Sequence, residues 1–174
     1  MLRYNIISRG VWHGLTWLFE LVRRLVLGAP FRRFSQVTPH IFIGGQFRRR
    51  GWPILESWGI NSVVNMREEF DDAEANIAPA HYLHLPTVDG TAPSIQQLLR
   101  GVAFIVDELE AGRTVYIHCE AGVGRAVTMA AAYLVANKEL SPSQAWKALR
   151  RIRPFIRPTV SQKNQLERFS AQAA

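Results

Sequence analysis

The chain has 174 residues, enough for one domain with a proper hydrophobic core, and its single cysteine excludes an internal disulfide framework and favours a reducing compartment. Its five histidines lack the spacing of a zinc site, so no metal centre is expected. The net charge of +7 comes from residues 1–50, which carry nine arginines and one acid, whereas the remaining residues carry twelve basic and thirteen acidic groups. Such asymmetry indicates an anionic neighbour, either a membrane or a nucleic acid.

A basic amphipathic helix is predicted near the N-terminus, ending at Gly28-Ala29-Pro30. Its apolar residues recur at helical spacing at Val11, Trp12, Leu15, Leu18, Phe19, Val22, Leu25 and Val26. Glu20, Arg23 and Arg24 interrupt them too early for a bilayer-spanning helix, which needs roughly 20 apolar residues. The pattern favours a helix lying in the membrane interface, with nucleic acid excluded because it has no use for an apolar stripe. The alternative is a helix that packs this stripe on the rest of the chain.

Short strands alternate with helices in the remaining sequence. Strands are predicted over residues 40–43, 61–66, 82–85 and 115–118, the first of them entering a turn at Gly44-Gly45. Helices are predicted over residues 53–58, from the capping-box residues Ser94 and Ser141, and from Ser161 to about Phe169. Residues 32–38 are expected to be a linker, residues 67–74 an acidic loop and residues 86–93 a further loop. This alternation implies an α/β domain that binds its ligand at the carboxyl ends of the strands.

A glycine-containing loop between a strand and a helix contains the candidate catalytic and phosphate-binding residues. It opens with Cys119 and closes with Arg125, and the helix is expected over residues 126–135. The backbone N–H groups of such a loop form an anion cradle, assisted by the helix dipole. They belong to Glu120, Ala121, Gly122, Val123 and Gly124, and Arg125 adds a planar fork for two phosphate oxygens. The alternative is a lone buried cysteine, which is disfavoured because His118, two glycines and Arg125 accompany it.

The spacing His118-Cys119-x5-Arg125 resembles the signature of the cysteine-dependent protein tyrosine phosphatase superfamily, in its dual-specificity branch. The resemblance extends from about Thr38 to Phe169. Residues 63–71 and 87–93 are similar to the acidic and general-acid loops of mitochondrial-type phosphatidylglycerophosphate phosphatases. The resemblance implies a single dual-specificity-phosphatase-like α/β domain over residues 35–174, with a central mixed sheet flanked by helices. Residues 1–34 then form a membrane-surface helix and linker before it.

The resemblance also implies phosphomonoester hydrolysis through a phosphocysteine intermediate, with no metal or cofactor. Cys119 is expected to attack phosphorus, Asp89 to protonate the leaving oxygen, and Arg125 with the loop amides to hold the other oxygens. His118 is expected to orient the loop from behind. Asp71 and Asp72 are the reserve candidates for the acid.

Two departures from the family pattern bear on turnover and substrate. Ala126 stands where a Ser or Thr hydroxyl usually stabilises the departing thiolate, and Thr128 is the nearest hydroxyl that could assist. Glu120, without any loop lysine, argues against heavily charged polyphosphoinositides.

The expected substrate is a phospholipid headgroup such as phosphatidylglycerophosphate, at an anionic membrane on the cytoplasmic face or an organelle's matrix side. The alternatives are a protein tyrosine, serine or threonine phosphatase and, less favoured, a phosphate-binding module with little turnover.

Overall fold

The structure is a computed structural model that describes the backbone of residues 2–173 and the side chains of residue 12 and residues 14–172. The helices are α1 Leu2–Leu27, α2 Trp52–Glu56, α3 Ile95–Glu110, α4 Arg125–Lys138, α5 Pro142–Ile152 and α6 Val160–Ala173. The strands are β1 Gln36–Thr38, β2 Ile41–Gly45, β3 Ile60–Arg67, β4 His81–Thr87 and β5 Thr114–Cys119. Short 3-10 turns occur at Arg32–Phe34 and Arg49–Gly51.

The strands form one mixed sheet in the order β1-β2-β5-β3-β4. Strands β2, β5, β3 and β4 are parallel, and β1 is antiparallel to β2 at the edge. The central strand β5 is buried along its whole length, as expected for a parallel strand covered on both faces. Cys119 is its last residue and lies opposite Gly45 of β2, so the cysteine occupies the carboxyl edge of the sheet.

Alternate residues of the strands face two separate hydrophobic clusters, as the two-residue period of a strand requires. The larger cluster joins one face of the sheet to α3, α4, α5 and α6 through residues such as Ile43, Ile117 and Leu149. The smaller one lies on the other face, where Phe42 and Tyr116 meet Leu55 of α2. The sheet is therefore held rigidly from both sides, and the loop after β5 starts from a fixed point.

Capping predictions from the sequence succeed at α3 and α5 and fail at α6. Ser94 and Ser141 each accept a hydrogen bond from the backbone N–H three residues on, and the glutamines there bond back. The last helix is capped by Thr159 rather than by Ser161, because Gln162 bonds reciprocally with Thr159. The reciprocal pair satisfies two backbone donors, which places the start of the helix two residues earlier.

Two predictions about the segment before β3 are wrong. Residues 36–38 form an edge strand instead of a linker, paired with β2. Gly44 and Gly45 continue β2 instead of forming a turn, and they are required there for close approach. A Cβ on Gly44 would lie 2.2 Å from the Tyr116 hydroxyl, and one on Gly45 would lie 2.7 Å from the Glu120 carbonyl oxygen.

Helix α1 contacts the domain through its charged side and leaves its apolar stripe uncovered. Glu20 and Arg24 are buried, whereas Trp12 and Val26 remain 64% and 63% exposed. Leu15, Leu18, Phe19, Val22 and Leu25 are also exposed, and the Val11 side chain lies outside the described residues. The alternative of a stripe packed on the domain is therefore wrong for the described part of the helix. Between residues 2 and 173, no helix has the length and apolar character needed to cross a bilayer.

Candidate active site

The loop between β5 and α4 holds the cysteine at its entrance. Cys119 is 3% exposed, and its Sγ accepts a hydrogen bond from the backbone N–H of Gly122 at 3.3 Å. Arg125 begins α4 and is itself buried. The strand–loop–helix prediction is thus confirmed, and the helix extends three residues beyond its expected end, to Lys138.

The carbonyl groups of the loop are held by donors outside it. Glu120 O accepts from Arg24 Nη1 at 2.5 Å and from Gln46 N at 3.0 Å, and Gly124 O accepts from the Thr128 backbone and hydroxyl. The carbonyls between them are bonded as well: Ala121 O and Gly122 O to Arg153, and Val123 O to Arg157 N. Since the C=O and N–H of a trans peptide point in opposite directions, this arrangement turns the loop amides towards the space beside Cys119.

Gly122 is the loop position that only glycine can occupy without strain. Its φ of 66° is left-handed, and a Cβ there would lie 2.2 Å from the carbonyl carbon of Gly44. Gly124 has a φ of −128° and a ψ of −85°, so the left-handed conformation within the loop is confined to Gly122.

Arg125 keeps one guanidinium donor unpaired. Its Nη1 donates to Glu69 Oε2 at 2.7 Å and to Thr87 O at 2.8 Å, and its Nη2 donates to Glu69 Oε1 at 2.9 Å. Nη2 also pairs with Asp89 Oδ1 at 3.0 Å. The buried Nε has no hydrogen-bond partner within residues 14–172. A buried donor without an acceptor is costly, so this nitrogen favours the arrival of an anionic oxygen.

Glu69 is a site residue that the sequence reasoning did not identify. It forms a bidentate pair with Arg125, and Arg67 Nε also approaches its Oε1 at 3.0 Å. The hydrogen bonds from Arg125 are the main reason that the pKa of Glu69 falls to about 2. Glu69 is therefore a fixed negative charge that orients the arginine, and its place in an acidic loop after β3 was the only sequence signal.

Asp89 lies at the mouth of the site in the loop after β4. Its side chain is 81% exposed, and its one ion pair within the described part of the chain is the contact with Arg125 Nη2. The carboxyl group thus lies beside the guanidinium that would hold a phosphate, and its exposure leaves it accessible to a leaving oxygen. Cys119 and Arg125, predicted from one loop, and Asp89, predicted from another, lie at the same edge of the sheet.

Asp71 and Asp72, the reserve acids, are occupied elsewhere. Asp72 is fully buried, and its Oδ2 lies 2.7 Å from His118 Nε2. Asp71 accepts from the Tyr82 hydroxyl at 2.7 Å and pairs with His84. Although desolvation opposes its charged form, bonds from Tyr82 and from the Ala73 N–H lower the pKa of Asp71, so it remains a carboxylate.

His118 precedes Cys119, and Asp72 holds its ring through Nε2. Its Nδ1 has no hydrogen-bond partner among the described residues, so the role of orienting the loop stays a prediction. The ring is fully buried between Phe47 and Tyr116, with centroid distances of 5.4 Å and 5.8 Å. Gln46 donates to the other oxygen of Asp72 at 2.8 Å. This chain of contacts fixes the ring at the base of Cys119.

The hydroxyl of Thr128 forms a hydrogen bond with the loop backbone rather than with the cysteine. It donates to Gly124 O at 2.9 Å, one helical turn back. Ala126, which directly follows Arg125, is buried and contributes no hydroxyl.

A buried ion pair between Glu20 of α1 and Arg153 links this helix to the back of the loop. Glu20 accepts from Arg153 Nη1 at 3.1 Å, and Arg153 donates in turn to Gly122 O at 2.6 Å and Ala121 O at 3.1 Å. Desolvation lowers the pKa of Arg153, and the nearby Glu20 carboxylate opposes that effect. The contact of Glu20 with Arg153 was not predicted from the sequence, because the two residues are 133 positions apart.

Comparisons with known proteins agree with this geometry. The family model "Dual specificity phosphatase, catalytic domain" matches residues 41–172. The chain is 32% identical over 160 residues to the phosphatidylglycerophosphate phosphatase PTPMT2 of Arabidopsis thaliana, covering 89% of this chain and 70% of that protein. It is 30% identical over 167 residues to the human phosphatidylglycerophosphatase and protein-tyrosine phosphatase 1, covering 90% and 83%.

Solved structures show the same similarity. A crystal structure of PTPMT1 in complex with PI(5)P superposes with a TM-score of 0.72 at 28% identity, covering 79% of this chain and 94% of that one. A crystal structure of Tk-PTP in its active form gives a TM-score of 0.73 at 27% identity, with coverage of 79% and 96%.

Proposed function

The chain belongs to the dual specificity phosphatase family and is a cysteine-dependent phosphatase, and we propose that it removes the phosphomonoester group of a phospholipid such as phosphatidylglycerophosphate. The main structural support for a lipid substrate is the uncovered apolar stripe of α1, because this helix also contacts the phosphate-binding loop. The activities named for the plant and human relatives support the same substrate class.

The first chemical step transfers the phosphoryl group to sulfur. The Cys119 thiolate attacks phosphorus, the S–P bond forms, and the ester P–O bond breaks. Asp89 gives its proton to the leaving alkoxide, which departs as an alcohol. The amides of residues 120–124 and the free Nε of Arg125 hold the other oxygens, where negative charge must be stabilised.

The second step returns the enzyme to its starting state. Water attacks the phosphocysteine, its proton passes to the Asp89 carboxylate, and the S–P bond breaks to release inorganic phosphate and the thiolate. The hydrogen bond from Gly122 N to Cys119 Sγ supports the thiolate as it leaves. Ala126 offers no hydroxyl for this purpose, so the second step is expected to limit turnover.

The same proposal places the enzyme at an anionic membrane surface, on the cytoplasmic face or an organelle's matrix side, in a reducing compartment. The exposed tryptophans Trp12 and Trp17 and the exposed Arg32 and Arg33 have the chemistry of an interfacial helix and its flank. Replacing Leu18 and Val22 together by aspartate is expected to reduce sedimentation with anionic vesicles at least tenfold. Val160→Asp, on the exposed side of α6, is the control and is expected to leave it unchanged.

The test of the substrate is phosphate release from phosphatidylglycerophosphate vesicles beside release from a phosphotyrosine peptide, with Cys119→Ser as the blank. Hydrolysis of the lipid that vanishes in Cys119→Ser is the expected result. Turnover of the peptide alone would reassign the enzyme to phosphoproteins. Binding of phosphate without turnover of either substrate would indicate a phosphate-binding module.

A further inference from the structure

A cavity of about 830 Å³ opens between α1 and the segments that follow β2 and β3. Its wall is formed by Leu21, Arg24, Leu25, Gln46, Phe47, Arg48, Arg49, Arg50, Arg67, Phe70, Ala75, Ile77 and Glu120. We call it the α1 groove. It adjoins the catalytic loop, since Glu120 directly follows Cys119 and its Oε2 lies 2.7 Å from Arg67 Nη1.

The α1 groove is strongly basic. Five arginines and one acid line it, and Arg67 alone among these arginines has a carboxylate within ion-pair distance in the described part of the chain. Arg49 and Arg50 donate to the carbonyl oxygens of Asn76 and Leu25, which leaves their charges uncompensated. The groove therefore suits an anion.

Arg24 supplies a second, independent sign of a missing acceptor. It lines the groove and is only 7% exposed, and its Nη1 is used by the Glu120 carbonyl. Its buried Nε has no hydrogen-bond partner among the described residues. Buried donors in native proteins are paired, so an oxygen of a ligand is the expected partner.

The groove also carries hydrocarbon surface. Its lining includes five large apolar side chains, those of Leu21, Leu25, Phe47, Phe70 and Ile77. A free phosphate or a phosphopeptide would satisfy the arginines and leave this surface uncovered. A molecule that joins a phosphodiester to an acyl chain would satisfy both parts.

We propose that the α1 groove binds the phosphodiester and the first part of an acyl chain of the lipid substrate, while its terminal phosphomonoester lies over Cys119. This inference rests on the proposed function and adds a second binding site for the same molecule. In phosphatidylglycerophosphate a glycerol unit joins the two phosphates, so the groove beside the mouth can take the second phosphate when the first is over Cys119. The specificity for a lipid thus lies partly outside the phosphate-binding loop.

The test uses monodisperse substrates, which remove membrane binding from the measurement. Dihexanoyl phosphatidylglycerophosphate, kept below its micellar concentration, is compared with p-nitrophenyl phosphate on the full chain. Arg48→Gln is expected to raise KM for the lipid about fivefold with little change in kcat, and to change the rate on p-nitrophenyl phosphate by less than twofold. Arg168→Gln, an exposed arginine of α6, is the charge-matched control and is expected to change neither.

The apolar wall is tested by Leu21→Asn, with Val160→Asn on α6 as its control. Leu21→Asn is expected to raise KM for the dihexanoyl lipid three- to tenfold at an unchanged melting temperature. The unreactive lipid dihexanoyl phosphatidylglycerol is expected to compete with the substrate in the wild type, and to compete less well in Leu21→Asn and Arg48→Gln.

The two levels of the proposal fail differently. A wild-type enzyme that hydrolyses p-nitrophenyl phosphate but no lipid overturns the proposed function. A wild-type enzyme that hydrolyses the lipid, with groove variants that match their controls, overturns the groove alone. Activation of p-nitrophenyl phosphate hydrolysis by phosphatidylglycerol would also overturn it, since the groove would then hold a second, regulatory lipid instead of the substrate.

Discussion

Glu20 and Arg153 form a buried ion pair, with Glu20 Oε1 3.1 Å from Arg153 Nη1, that joins the N-terminal helix to the phosphate-binding loop. Arg153 also holds the carbonyls of Ala121 and Gly122. The helix is therefore a support of the loop as well as the proposed membrane contact. Deleting residues 1–34 would disturb both roles together, so single substitutions are the cleaner probes.

Glu20→Ala is expected to destabilise the protein by about 3–5 kcal/mol, because it leaves the Arg153 charge buried without its partner. The rate on p-nitrophenyl phosphate is expected to fall as well, since Arg153 then holds the loop less firmly. Chemical denaturation and steady-state kinetics measure the two effects. Glu110→Ala, an exposed glutamate at the end of α3, is the control; a Glu20→Ala variant as stable as Glu110→Ala would contradict the bracing role.

Asp89→Asn is expected to lower kcat/KM, which reports the first step, about 10²–10⁴-fold on an alkyl phosphate, because the leaving alkoxide then receives no proton. The loss of kcat/KM on p-nitrophenyl phosphate is expected to be smaller, since nitrophenolate leaves without protonation. Asp71→Asn is the matched comparison, because that carboxylate is bonded to Tyr82 and paired with His84. Equal losses in the two variants on the alkyl phosphate would remove Asp89 from the role of the acid.

The Glu69–Arg125 pair gives a pH dependence with a definite sign. A carboxyl whose pKa is depressed on folding contributes stability that is present above its unfolded pKa of 4.5 and is lost as the pH falls through about 2. The melting temperature of the wild type is therefore expected to exceed that of Glu69→Gln above pH 4.5, and the difference should shrink towards pH 2. Because Glu69 is partly exposed, the difference will also decrease with added salt. A difference that stays constant between pH 5 and pH 2.5 would show that the pair contributes nothing.

Ala126→Ser is expected to accelerate breakdown of the phosphocysteine. The wild type should show a burst of p-nitrophenol about equal to the enzyme concentration, followed by slow turnover, because no hydroxyl assists the departing sulfur. The serine is expected to reduce the burst relative to the steady-state rate in stopped-flow measurements. Ala126→Gly, which adds no hydroxyl at the same buried position, controls for changes in packing. A wild type without a burst would show that the first step is limiting.

The elements with local signals could be predicted from the sequence. The capping boxes at Ser94 and Ser141 and the loop from Cys119 to Arg125 are each encoded within a few residues, and the structure has them where the sequence places them. The uncovered stripe of α1 was one of two predicted possibilities. The sequence could not decide between them, because it did not show that Glu20 and Arg24 on the charged side of the helix would be buried against the domain.

The residues that the sequence did not reveal act across long separations. Glu69 meets Arg125 over 56 positions, and Asp72 meets His118 over 46. Gly44 and Gly45 looked like a turn because glycine pairs usually are one, but here they admit the Tyr116 hydroxyl and the catalytic loop. Contacts of this kind can be identified only once the strand order, which places β2, β5 and β3 side by side, is known.

The isolation of Cys119 has a consequence for how the enzyme responds to peroxide. A thiolate in such a loop oxidises to a sulfenic acid, and many enzymes then protect it through a disulfide with a second cysteine. This chain has no second cysteine, so its sulfenic acid must condense with an external thiol or with a neighbouring backbone nitrogen. Without either, further oxidation to the sulfinic acid is irreversible. Recovery of activity after oxidation is thus controlled by the surrounding thiol pool.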